Sequence, residues 1–439
     1  MRNLHRLPFF ILITIGFLLQ ACSNSDHLNS INNDENDCSP NTANITLTKQ
    51  DYLSINNSEF PYAGIPRIVI ETENNQQIRD RETEIPAKLQ IWGESEPISE
   101  VMKLTIRGRG NSSWTSMPKK SYKIEFTNKQ AMLGMPKDRD WALIANYADK
   151  SLIKNYLMYQ LSAKIGAYYA PRCEFTELYL NKEYLGIYLL TETIKISKNR
   201  INIPKTDNSF IVEVDAKYRP NEQVIFSNII KSDSIGQAFR IHEPKEASDS
   251  TLSIIKEHIT SFEAFLKNVS KTDSISNWID IDEYLKHYWI QEFSKNPDAE
   301  FHTSVFFSWT IDDLIKMGPV WDFDLSLGGF DNESINSPQN WFIKKAYWNA
   351  FVFKNEKIDS LRIDYWKTNR SKFVESLSSI DSISYLLTDA ASNNFRKWDI
   401  LQSTKLKYHK YPYNSYQEAV SDLKKWITKR IEWIDSQIN

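Results

Sequence analysis

Three stretches of this 439-residue chain carry side chains whose types and spacing suit chemistry on a charged substrate. In Met317-Gly318-Pro319-Val320-Trp321-Asp322-Phe323-Asp324-Leu325, two carboxylates stand two apart among large apolar residues. Burying an ionised carboxylate is costly unless a cation or donors compensate, so the pair points to a divalent metal such as Mg²⁺ shared with phosphate oxygens. Strand alternation would set Asp322 and Asp324 on one face, and capping of loop amides is the structural alternative. A second acid, Asp298, follows Pro297 between a helical pattern and the strand-like Val305 to Trp309. From such a loop an acid can orient an attacking hydroxyl and take its proton, although Asp after Pro also forms ordinary turns. The third stretch, Arg107-Gly108-Arg109-Gly110-Asn111-Ser112-Ser113-Trp114, precedes a basic strand with Lys119, Lys120 and Lys123. Glycines let backbone amides approach a phosphate and nearby lysines neutralise it, yet a tight turn between surface strands fits the same residues.

These residues need elements to hold them. Apolar residues alternate or cluster through 67–71, 87–92 and 102–106, which predicts an antiparallel sheet. Over 151–166 the period changes, with Ile153, Leu157, Leu161 and Ile165 four apart, one stripe of a helix that Gly166 can end. Residues 173–180 and 184–190, joined by Asn181-Lys182-Glu183, read as a hairpin. Helical spacing dominates over 252–266, 281–293 and much of 342–439, so the second half is expected to be mainly helical.

Composition bounds the rest. Lys+Arg 53 against Asp+Glu 56 leaves a net charge of -3, which offers no field to draw nucleic acid. Arg2 and Arg6 followed by the short apolar run Pro8 to Leu19 read as a signal peptide over 1–21, ending at Leu19-Gln20-Ala21-Cys22. That ending is similar to the lipobox of bacterial lipoproteins, so Cys22 is the expected lipidation site. Residues 22–46 are polar and read as a tether. The expected location is outside the cell interior, anchored to an envelope membrane, with the outer membrane or cell surface favoured. With three cysteines, no CxxC and no Cys/His spacing, neither a disulfide framework nor a structural zinc site is predicted.

RGRGNSSW, PKKSYKIEF, NYADKSLIKNYLMYQLS, APRCEFTELYLNKEYLGIYLLTETIK, FIVEVD, NPDAEFHTS and MGPVWDFDLSLG, in this order, resemble the successive blocks of the CotH kinase family. The resemblance implies an α+β, atypical protein-kinase-like fold of two lobes. Residues 47–192 would form an antiparallel β-rich lobe with one helix, and 193–439 a mainly helical lobe. It further implies ATP- and Mg²⁺-dependent phosphoryl transfer, with Mn²⁺ as substitute, to Ser or Thr of an exported or surface protein. Asp298 resembles the catalytic-loop acid and Asp322 the metal-binding Asp of the Asp-Phe-Gly element, with Asp324 beside it. Lys123 or Lys120, with Arg107 and Asn111, would hold the nucleotide phosphates. The sequence departs from the kinase pattern twice. The 151–166 helix has no acid to pair with the lysine, for which Glu192 or Glu213 could substitute, and Thr303 stands where a metal-binding Asn is usual. A non-catalytic surface lipoprotein, or a carbohydrate-active one, is the rival expectation.

Overall fold

The computed structural model describes residues 59–438 except 233–234, 270–273, 301 and 410. The expected signal peptide over 1–21, the expected tether over 22–46 and the expected lipidation site Cys22 lie outside the described residues. Seven strands close into a barrel: β1 (Arg67–Thr72), β2 (Ile85–Trp92), β3 (Met102–Arg109), β4 (Ser121–Met132), β5 (Met135–Ile144), β6 (Cys173–Leu180) and β7 (Glu183–Glu192). Alternation directs the side chains. Leu104 and Ile106 of β3 and Tyr122, Ile124 and Phe126 of β4 fill the barrel, while Arg107, Lys123 and Glu125 point away from it. The barrel order is β1-β2-β3-β4-β5-β7-β6, and closure comes from β1 lying parallel to β6, Arg67 opposite Glu177. The expected antiparallel sheet is thus a closed barrel with one parallel pair, which leaves no exposed edge. Asn181 and Lys182 both adopt left-handed backbone in the β6–β7 turn, as a two-residue hairpin loop of matching twist requires.

Helix α1 (Lys154–Lys164) follows β5. Its start is set by Asp149, whose carboxylate accepts from Ser151 N at 2.9 Å and Lys154 N at 2.9 Å. After the barrel comes an antiparallel five-stranded sheet of β8 (Ser209–Val214), β9 (Val224–Ser232), β10 (Ile235–Glu243), β11 (Val305–Thr310) and β12 (Lys316–Met317), in the order β12-β11-β8-β10-β9. The second half is mainly helical, as expected, with this sheet set ahead of most of its helices. Central β8 is buried along its whole length, so it shows no alternation that would mark it as a strand. The longer helices are α2 (Asp249–Leu266), α3 (Ile281–Ser294), α4 (Glu356–Leu386), α5 (Thr388–Lys397) and α6 (Tyr416–Ile438). Among the described residues no helix is long and apolar enough to cross a membrane.

One buried ion pair ties the C-terminal helix to the helix that leads into Asp298. Arg430 of α6 donates to Glu292 Oε1 of α3 at 2.6 Å, and neither side chain is exposed. Glu292 also accepts from Phe342 N at 2.9 Å and Lys344 N at 2.7 Å. Removing one member of such a pair leaves the other charge buried without compensation. Glu292→Ala is therefore expected to lower stability by about 3–5 kcal/mol in chemical denaturation. A loss below about 1 kcal/mol would show that the pair does not hold α3 in place.

Candidate functional site

Helix α3 ends at Lys295, whose left-handed backbone turns the chain sharply into Asn296. The Asn296 side chain, 1% exposed, then joins the two acidic stretches. Its Oδ1 accepts from Asp298 N at 3.2 Å, and its Nδ2 donates to the carbonyl of Asp322 at 3.0 Å. Leu327 N donates to Ser294 O at 2.8 Å, a second stitch between the same segments. From the other side, Asn155 of α1 accepts from Phe323 N at 2.7 Å and donates to Asn146 Oδ1 at 3.0 Å. The segment of Asp322 and Asp324 is a turn rather than the expected strand, with Asp322 at φ 63° and Ser326 N bonded back to Phe323 O. A turn, not strand alternation, brings the two carboxylates together.

Asp298, Asp322 and Asp324 all open on one cleft of about 1410 Å³, between the outer barrel wall and the five-stranded sheet. Among the described residues none of the three forms an ion pair. Burial, then the charge of Asp322, pushes the Asp298 carboxyl up to about 7, against the pull of Lys217. Burial also raises Asp322, with Arg109 opposing and a hydrogen bond from Ser304 helping the ionised form. Asp324 is raised furthest, by burial and then by Asp322 and Asp298, with Lys154 opposing. Carboxyls so placed resist ionising together. These hard oxygen donors fit Mg²⁺ or Mn²⁺. Among the described residues no group of three or more His, Cys, Asp or Glu side chains is placed to hold a metal ion, so any metal here would take two protein carboxylates and leave its other positions to phosphate and water.

The other predicted residues are placed differently. Lys123 lines the cleft, but its amine sits 2.9 Å from Glu125 and 2.9 Å from Asp140 on the same barrel wall. Burial weakens its charged form, but Asp140 and Glu125 together outweigh that, so its pKa is raised. Neither Glu192 nor Glu213 is its partner: Glu192 binds Arg172, and Glu213 binds Arg240. Arg107 is at the cleft edge, with Nε 3.2 Å from Glu84 and Nη1 donating to Arg81 O at 2.6 Å. Asn111 accepts from Arg81 at 2.7 Å in the loop after β3. There Gly110 has a φ of 97°, and a Cβ would lie 2.0 Å from Ser113 Oγ. Lys120 is not brought into the cleft. Alternation turns it to the opposite side from Lys119, Ser121 and Lys123, where its amine donates to Trp114 O. Residues that sequence reasoning passed over are Arg109, Asn155, Asp215, Lys217 and Asn296. Arg109 had the same signal as Arg107, two positions away, and FIVEVD ends at Asp215. For Lys217 and the two asparagines no local signal exists.

Compared with known families, the chain matches the sequence model described as CotH kinase protein over residues 106–434. The chain belongs to the CotH kinase family. A search of the curated proteins finds no match. Membership points to an atypical kinase-like role for this cleft, since the CotH match begins in β3 and ends in α6 and so includes both acidic stretches. This member of the CotH kinase family departs from the usual kinase small lobe in its closed barrel.

A carboxyl whose folded pKa is raised binds its proton more tightly in the native state, so its stabilising effect is lost as pH rises through the raised value. In divalent-free buffer at pH 8, Asp324→Asn is expected to melt higher by roughly 2 °C or more. Below about pH 3, where folded and unfolded carboxyls are nearly all protonated, the gain should vanish. Calorimetry checks this, and a lower Tm for the variant at pH 8 would contradict the repulsion described above.

Proposed function

We propose that this CotH kinase transfers the γ-phosphoryl group of ATP, with Mg²⁺ or Mn²⁺, to a Ser or Thr hydroxyl of an exported or surface protein. The observation that carries this reading is the convergence of Asp298, pushed up to about 7, with Asp322 and Asp324 in one cleft. A base is most effective when its pKa lies near the working pH. Asp298 accepts the hydroxyl proton as the acceptor oxygen bonds to the γ-phosphorus. The bond from that phosphorus to the bridging oxygen then breaks, and ADP leaves. Asp322 and Asp324 would hold the metal. When bound, it neutralises charge on the phosphate oxygens. The cleft volume of about 1410 Å³ exceeds the roughly 300–1,000 Å³ of a single small-molecule site, which leaves room for a segment of acceptor protein beside the nucleotide. With the expected lipid anchor at Cys22, the acceptor would be another protein of the envelope or surface.

The test is incubation with γ-labelled ATP, Mg²⁺ and a casein-type Ser/Thr acceptor. Asp298→Ala is expected to transfer about 10²- to 10⁴-fold more slowly than the natural chain, and Asp322→Asn to show no label above background. Equal labelling in all three proteins would rule out these acids as the catalytic group.

A further inference from the structure

Cations line the cleft on both walls, and most of them are committed to acids. Besides Lys123, Lys195 is paired with Asp138 and Asp140, Arg107 with Glu84, and Arg219 with Glu82. Arg240 is shared between Glu213 and Glu222. A lysine held by two carboxylates must give up those contacts before it can serve a phosphate. Lys123 would leave Glu125 and Asp140, which face each other across β4 and β5, without the charge between them.

Arg109 and Lys217 are different. Among the described residues neither guanidinium nor ammonium forms an ion pair or a hydrogen bond, and both line the cleft with the three carboxylates. Arg109 stands at the end of β3, opposite Ser121, and its guanidinium lies over the ring of Trp321 at 4.9 Å, one residue before Asp322. The ring fixes the plane of a fork with five donors while leaving them free for a bidentate contact. Its charge bears on Asp322. Lys217 follows β8 on the opposite wall. Its amide donates to Asp215 Oδ1 at 2.8 Å, and the same oxygen accepts from Thr303 Oγ1 at 3.1 Å. Ala216 N donates to His302 O at 2.8 Å. The backbone of Lys217 is thereby pinned to the loop of Asp298, while its exposed stem can move with a ligand.

We propose that Arg109 and Lys217 form a two-cation phosphate clamp, Arg109 holding the β–γ phosphate linkage beside the metal carboxylates and Lys217 holding the γ-phosphoryl group beside Asp298. This rests on the phosphoryl-transfer reading above and adds to it. Phosphate recognition passes from the strand lysine, tied up on the barrel wall, to an arginine one strand away and a lysine from the second sheet. Asp215 and Thr303 act as positioning residues for Lys217.

Isothermal titration of the chain with ADP–Mg²⁺ and with a non-hydrolysable ATP analogue–Mg²⁺ tests the clamp, using Lys217→Ala, Arg109→Lys and Lys123→Gln. Arg109→Lys keeps the charge and loses the fork, so both nucleotides should bind about tenfold more weakly. Lys217→Ala should weaken the ATP analogue by about tenfold and ADP by less than about twofold, because ADP lacks the group it holds. Lys123→Gln should cost less affinity than Arg109→Lys. Equal effects of Lys217→Ala on the two nucleotides, or a loss in Lys123→Gln as large as in Arg109→Lys, would overturn the clamp. Failure of the natural chain to bind either nucleotide would instead overturn the phosphoryl-transfer reading. Lys217 is exposed, so its variant folds whatever becomes of the other two.

Discussion

A single buried amide holds the chemistry together. Asn296 accepts from the backbone of Asp298 and donates to the carbonyl of Asp322, so two segments from opposite ends of β11 and β12 become one surface. Three carboxyls are crowded there, and burial raises their pKa values, with the charge of Asp322 adding to it at Asp298 and Asp324. Only a rigid frame tolerates that crowding, because any slack would let the acids separate into solvent. Asn155 from α1 and the backbone bond from Leu327 to Ser294 supply further restraint.

The frame is closed by the C-terminal helices, which reach back over the barrel. In α5, Asn394 Oδ1 accepts from Ile187 N at 3.1 Å and from the buried Lys119 amine at 2.9 Å. Gly186 allows this approach, since a Cβ there would lie 2.4 Å from the same oxygen. Asn393 donates to Glu177 at 3.1 Å, the carboxylate that also pairs with Arg67 where the barrel closes. Thus α5 seals the barrel seam, α6 grips α3 through Arg430 and Glu292, and α3 delivers Asp298. The family match begins at residue 106, after Arg67, and takes in Glu177, α3, α5 and most of α6.

Lys123 illustrates how far a motif can be read. Its position on a strand after a glycine-containing loop resembles that of the kinase lysine, and the strand is where the spacing puts it. What the lysine touches depends on register: Glu125 lies opposite Asp140 across β4 and β5, and that pairing captures the amine between them. A helix without acids could not do so. Arg109, two positions from the residue favoured by inspection, instead lies against Trp321 and Asp322 because β3 ends beside that turn.

Local pattern was sufficient where one face of an element meets the core. Helix α6 buries Ala419, Leu423, Trp426, Ile427, Ile431 and Ile434 at the spacing visible in the chain, and the β6–β7 hairpin follows from its short polar connection. The types and order of the acidic and basic residues likewise belong to the sequence alone, and they were enough to indicate the family. Tertiary structure decided what depends on distant partners. Barrel closure joins Arg67 to Glu177 across 110 residues, and β8 is covered on both sides and so carries no period. The raised pKa of Asp298 and the free cations beside it arise from burial and from neighbours on other elements, and neither has a signature in a one-dimensional pattern.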